Sequence, residues 1–411
     1  MEMINSGDTA WVLASTALVM LMTPGLAFFY GGMVRRKNIL GVLMQCMIIL
    51  CVVSLQWVLF GYSLAFGPGN QFIGGLSWAG LSGVGLEPNA DYAATIPHQA
   101  FMIFQMMFAV ITPALIIGAF AERMKFSAFL VFTILWATLV YDPVCHMVWA
   151  VGGFIRQMGA LDFAGGTVVH INAGIAALVT ALVIGRRRGY EDKPTTIHNL
   201  PFTVLGAALL WFGWFGFNSG SALGAGALAA SAFVATHVAT AAAGLSWALL
   251  EWKINGKPTI FGTVTGAVAG LVAITPAAGF FNATGAIIIG LLVSVFCFIA
   301  VGVIKPKLGY DDSLDVFGVH GIGGIWGALA TGLFATKAVN SAGADGLFYG
   351  NPGLFLVQLK AVAIVVAYTF VVTFIIYKVI DLVMGVRVSE LDEAIGLDLT
   401  QHKEEAYTVL E

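Results

Sequence analysis

The chain has 411 residues, 59% hydrophobic and 10% charged, with a formal net charge of −3 and a mean hydropathy of +0.91. An ordinary soluble domain is roughly a quarter charged, so a string of water-soluble globules is excluded, and the absence of a basic patch leaves no footprint for nucleic acid. Apolar runs of about 20 residues, each long enough to cross a bilayer, recur along the chain and indicate one all-α polytopic membrane domain.

The opening stretch MEMINSGDTAW carries Glu2 and Asp8 and no cation before the first apolar run, which is unlike a cleavable signal peptide. Eleven transmembrane helices are expected, at 9–33, 39–66, 97–121, 127–150, 163–184, 200–218, 229–252, 259–280, 285–304, 314–336 and 353–378. Lys and Arg favour cytoplasmic loops. They collect on alternate connections (Arg35, Arg36 and Lys37; Arg123 and Lys125; Arg186, Arg187, Arg188 and Lys193; Lys253 and Lys257; Lys305 and Lys307) and at the C-terminal end (Lys378, Arg387, Lys403). The opposite face has only Arg156 and Lys337, and Lys360 falls within the last span. The topology expected is N-out and C-in, with residues 1–380 as the membrane domain and 381–411 as a cytoplasmic tail. Cys46, Cys51, Cys145 and Cys297 show no ligand spacing and read as small core residues.

Two stretches echo each other. In DFAGGTVVHINAG, His170 follows Asp162 by eight residues; in DSLDVFGVHGIGG, His320 follows Asp312 by the same offset. Both continue with Gly and Ile, Gly174 and Ile175 in one, Gly324 and Ile325 in the other. The copies fall in the fifth and tenth spans. Five is odd, so the second copy lies inverted in the membrane. The repeats run over 9–184 and 200–336, with 353–378 added, in the manner of many transporters whose site lies near the midplane. Eight helical residues advance about 12 Å, so both histidines reach the middle of the bilayer from opposite sides. Intramembrane histidines are costly and commonly face a cavity or a partner. Small residues four positions away (Gly166, Gly174, Gly324, Ala328) let these helices approach closely.

Asp162, Asp312, Glu122 and Glu251 all map to helix ends, and no span is expected to carry an acid near its centre, which disfavours a hard-cation path. Aromatics are plentiful instead. Phe104 and Phe108 come from FQMMF, Trp149 from HMVW, and WFGWFGFNSGS loads the sixth span. Aromatic faces with hydroxyl acceptors suit a small cation that donates hydrogen bonds.

Together, DFAGGTVVHINAG, AERMKFSA, WFGWFGFNSGSA, DVFGVHGIGGIWG and GVRVSELDEAIGLDLTQHKEEAY resemble the ammonium transporter family (Amt/Mep/Rh), most closely its prokaryotic Amt type, from the first span into the tail. The resemblance implies a homotrimer in the cell membrane with one pore per subunit. It places an outer ammonium site on Phe108, Trp149 and Ser221, a gate on Phe108 and Phe217, pore histidines at His170 and His320, and at Asp162 an acid that is either an entrance ligand or a structural cap. It also implies that ammonium is deprotonated near the gate and conducted as ammonia, with a proton and electrogenically. Regulation would come through the tail by a PII-type protein on the cytoplasmic face. No cofactor and no enzymatic activity is expected, since two histidines without a third ligand make a poor catalytic metal site.

A neutral channel for ammonia or carbon dioxide, and an ammonium sensor acting through the tail, are the alternatives. His237 in the seventh span is expected to be a packing residue, His98 and His146 interfacial, and His198 and His402 cytoplasmic. Lys360 carries no expected role beyond reaching back to the surface, and NAT at 282–284 is a weak glycosylation match.

Overall fold

The computed structural model describes residues 4–190 and 197–407, so Glu2 and Lys193 lie outside it. Among the described residues, ten helices are long and apolar enough to cross a membrane. They are α1 (Ser6–Met33), α2 (Arg36–Phe66), α3 (His98–Phe120), α4 (Phe126–Gln157), α5 (Gly166–Ile184), α6 (Leu200–Ser219), α7 (Ala227–Asn255), α9 (Ala283–Leu308), α10 (Phe317–Phe334) and α11 (Pro352–Met384). Helix α8 (Ile260–Ile274) is apolar but has only 15 residues. The run expected over 259–280 stops early because Pro276, which has no N–H to continue the ladder, sits in a chain of buried turns from 275 to 280. Helix α4 is interrupted after Trp149 and resumes as one turn, Phe154–Gln157. Among the described residues the strands are limited to a hairpin in the loop after α2, Pro88–Asn89 with Ala93–Pro97.

Helix α1 packs along α6, and α7 against α8 and α9. Counterparts in the five-helix repeat also carry counterpart π turns: Ala137–Tyr141 in α4 and Ala300–Ile304 in α9, Gly166–Ile171 in α5 and Phe317–Gly321 in α10. A π turn inserts one residue into the α ladder and recurs at functional sites; here the last pair holds His170 and His320.

A second expectation fails. Asp142 lies well inside α4, fully buried, with one oxygen accepting from Gln56 Nε2 of α2 at 2.7 Å. Its other oxygen has no partner in the structure. An interhelical hydrogen bond of this kind is a means of joining helices where lipid supplies no polar partner, and it made an acid tolerable at a depth where the sequence pattern argued against one.

The tail is ordered against the loops that join the helices. Val388 N–H donates to the Arg123 carbonyl at 3.0 Å and Lys125 N–H to the Val386 carbonyl at 2.9 Å. Two short helices follow, α12 (Glu390–Ile395) and α13 (Leu397–His402). Glu393 accepts from the Arg188 amide at 2.6 Å and pairs with Arg387 at 2.8 Å, while Asp398 caps α2 by accepting from Gly41 N–H at 2.8 Å. Beneath them Asp311 is clamped by Arg187, Nε to Oδ2 at 2.9 Å. Burial pushes the Asp311 carboxyl up, but Arg123 and Arg187 outweigh it and hold the group below the usual carboxylate range.

Candidate transport path

Asp162 determines how α5 begins. Its Oδ1 accepts from Gly165 and Gly166 N–H at 2.8 and 2.7 Å, and its Oδ2 from Thr167 and Val168 N–H at 2.8 and 3.2 Å. Four amides that a helix start would leave orphaned are thus met by one half-buried carboxylate. Burial nevertheless holds the carboxyl above its ordinary range against the pull of those amides. With both oxygens committed, the acid is a cap whose charge faces a helix N-terminus.

Beside it opens an outer cavity of about 180 Å³, lined in part by Trp149, Ser221, Asp162, Phe101, Tyr92 and Gln105. The Trp149 ring is fixed by its indole N–H, which donates to the Asp162 carbonyl at 2.9 Å. Phe108 stands perpendicular to it, centroids 5.8 Å apart. The Ser221 hydroxyl donates to the Phe217 carbonyl at 2.8 Å, which leaves its lone pairs free to accept. Gln105 went unrecognised in the sequence, although it stands one turn before Phe108. Gln105 borders the cavity, and among the described residues its buried Oε1 has no partner.

Phe108 and Phe217 lie 4.3 Å apart with their rings tilted by 40°, Phe108 also meeting Trp149 of the outer cavity. Beyond them is an apolar lumen of about 10 Å³ walled by Leu26, Ile111, Trp214, His170 and His320 among others; one water-sized molecule needs about 10–15 Å³. The two imidazoles, 150 residues apart in sequence, meet Nδ1 to Nδ1 at 3.2 Å. One of these nitrogens must donate and the other accept, so the two neutral rings hold opposite tautomers, one protonated on Nδ1 and the other on Nε2. Among the described residues His170 Nε2 has no partner.

His170 is stacked on Trp214, 5.3 Å and 21°, and Trp214 in turn donates to Thr275 Oγ1 at 2.9 Å. Both were missed: Trp214 was one of many aromatics in its motif, and Thr275 gains a purpose only because the chain breaks at that point. Gly174 lies so close to the Gly321 backbone that a Cβ there would collide with it. On the far side His320 also borders a small inner cavity with Tyr30, Leu314 and Asp315.

The remaining candidates lie off this line. His237 is exposed on the outer face of α7, with its ring against Trp211 and Phe215 at 5.4 and 6.1 Å. Lys360 is exposed on α11. His98 bonds Tyr62 Oη at 2.6 Å, and His198 bonds Tyr407 Oη of the tail at 3.0 Å. Among the described residues no group of His, Cys, Asp and Glu could hold a metal ion.

A small apolar lumen below a pair of packed phenylalanines, beside an aromatic cavity and inside a multi-span helical bundle, fits a membrane transporter of small solutes. The family model "Ammonium Transporter Family" matches residues 10–407, and the chain belongs to that family. An ammonium transporter of Bacillus subtilis is 57% identical over 404 residues, 98% of this chain and 99% of its own length. Ammonium transporter Amt1 of Archaeoglobus fulgidus is 50% identical, over 98% of this chain and all of its own length. Among solved structures, Mep2 of Candida albicans superposes with a TM-score of 0.90 at 36% identity, covering 98% of this chain and 90% of that one. A sensor Amt protein superposes with a TM-score of 0.87 at 27% identity, covering 96% and 98%. The protein is a multi-pass membrane protein of the ammonium transporter family, and its relatives are named as transporters rather than enzymes.

Proposed function

We propose that the protein recruits ammonium at Phe108, Trp149 and Ser221, deprotonates it at the Phe108–Phe217 gate and conducts ammonia past His170 and His320. The observation that carries this reading is the joined imidazole pair in a lumen of about 10 Å³. A bare cation there would lose its hydration with no carboxylate to replace it, which is expensive at mid-membrane, whereas ammonia crosses as a neutral molecule. In the outer cavity the cation gains aromatic faces and the lone pairs of Ser221.

The proton is carried separately, and transport is electrogenic, because a linked imidazole pair can accept on one side and donate on the other. Eleven spans, N-out and C-in, in the cell membrane as a homotrimer complete the proposal. The ordered tail of residues 381–407 serves as the cytoplasmic docking face for a PII-type regulator. Signalling through that tail is a second reading, favoured by the likeness to the sensor Amt protein.

The test is an ammonium jump across liposomes holding the purified protein. A sustained inward current supports electrogenic transport. Lumenal alkalinisation without current replaces it with a neutral gas channel. Binding with neither signal leaves the sensor.

A further inference from the structure

Of the two cations on the face opposite the basic loops, Arg156 and Lys337, the first stands at the mouth of the outer cavity. Arg156 is exposed, lines that cavity with Trp149 and Ser221, and donates from Nη1 to the Trp149 carbonyl at 2.6 Å. A guanidinium is therefore pinned to the backbone of the very residue whose ring faces the entering ion. The charged and titratable groups bordering the cavity are Arg156, Asp91, Tyr92 and Asp162. The charge of Asp162 is offset in part by the helix N-terminus whose four amides it accepts from, and the Tyr92 hydroxyl donates to the Phe66 carbonyl at 2.6 Å. That leaves exposed Asp91 as the carboxylate free to attract a cation and Arg156 as the charge that repels one. No ion pair within 4.0 Å joins them among the described residues.

We propose that Arg156 sets the affinity of the outer cavity for ammonium: its fixed positive charge lowers the local cation concentration, and Asp91 offsets it in part. The inference rests on the reading of this cavity as the place where ammonium enters. Fixed charges lining a cleft change the local concentration of a charged solute through their field, raising it for the opposite sign and lowering it for the same sign. One unit charge near the site corresponds to a change in half-saturating concentration of about three- to tenfold at low ionic strength.

The experiment is ammonium-evoked transport in proteoliposomes as a function of concentration, for the parent, Arg156→Gln, Arg156→Lys, Asp91→Asn and Trp149→Leu. It is run at low ionic strength and again at about 1 M salt, where the Debye length shrinks to roughly 3 Å. Arg156→Gln is expected to lower the half-saturating concentration about three- to tenfold, moving the maximal rate less, and Asp91→Asn to raise it. Arg156→Lys, which keeps the charge, brings the value back towards the parent's, and high salt compresses all of these differences.

If Arg156→Gln and Arg156→Lys shift the curve alike, the bond to Trp149 matters and the charge does not, and the proposal falls. It falls equally if Arg156→Gln moves nothing while Trp149→Leu does. If Trp149→Leu itself leaves the half-saturating concentration unchanged, the entrance reading fails first.

Discussion

The two histidine helices begin with the same device built to different strengths. On α5, Asp162 gives both oxygens to four backbone amides, and no basic side chain is bonded to it in the structure. On α10, Asp312 lends one oxygen to Phe317 N–H at 2.7 Å, and its Oδ1 is unpaired. A cation completes the inner version: Lys305 Nζ reaches the Asp312 carbonyl at 2.6 Å and the Asp315 carboxylate at 2.5 Å. The eight-residue offset was duplicated; the chemistry that secures it was not. At the end proposed as the cation entrance the helix start is held by amides alone, whereas the inner end can afford a lysine.

Truncation breaks the comparison hardest. Asp162→Ala strands four buried amides and is expected to cost on the order of 3–5 kcal/mol, read as thermal unfolding in detergent. Asp312→Ala should cost clearly less. Equal losses would mean that the cap count does not govern the two helix starts.

Next come the glycines that let the helices meet. Gly174→Ala drives a methyl into the Gly321 backbone and should cost about 3 kcal/mol, parting the imidazoles and abolishing transport. At the matching position, a Cβ on Gly324 would sit 3.1 Å from the His170 Cβ and from Ile171. Gly324→Ala should therefore cost only about 1 kcal/mol and retain partial transport. Transport by both variants, assayed side by side, checks the ranking.

The smallest effect is in pH. Burial pushes the Asp312 carboxyl up to about 6, above its ordinary 3.8. The folded state then binds more protons than the unfolded chain between those values. Stability from this group is full below pH about 4, declines as pH rises to about 6, and is flat above, by on the order of 2–3 kcal/mol. Unfolding of parent and Asp312→Asn over that range should differ in slope, the Asn variant falling less steeply. Parallel curves would remove Asp312 as the titrating group.

Much of this was legible before any coordinates. The paired offsets marked His170 and His320, and the motifs marked Phe108, Phe217, Trp149, Ser221 and Asp162; the fold brings the histidines together and sets the aromatics in line above them. What was not legible depends on partners far away in sequence. Asp142 is tolerated because Gln56 reaches it from another helix. Thr275 matters only because α8 ends just before it and Trp214 lies across the gap. Gln105 is an ordinary amide until it proves to border the outer cavity with its buried oxygen unpaired among the described residues. Periodicity reports which face is apolar, and it is silent on which polar atoms are left without partners.

The most direct test of the path between the histidines is selectivity. Currents evoked by ammonium and by potassium would be compared in liposomes holding the parent and the His170→Ala, His320→Ala double variant. The account predicts ammonium current without potassium current in the parent, and loss of the current or of its selectivity in the variant. Potassium current in the parent, or a double variant that behaves like it, would contradict a path through the imidazole pair.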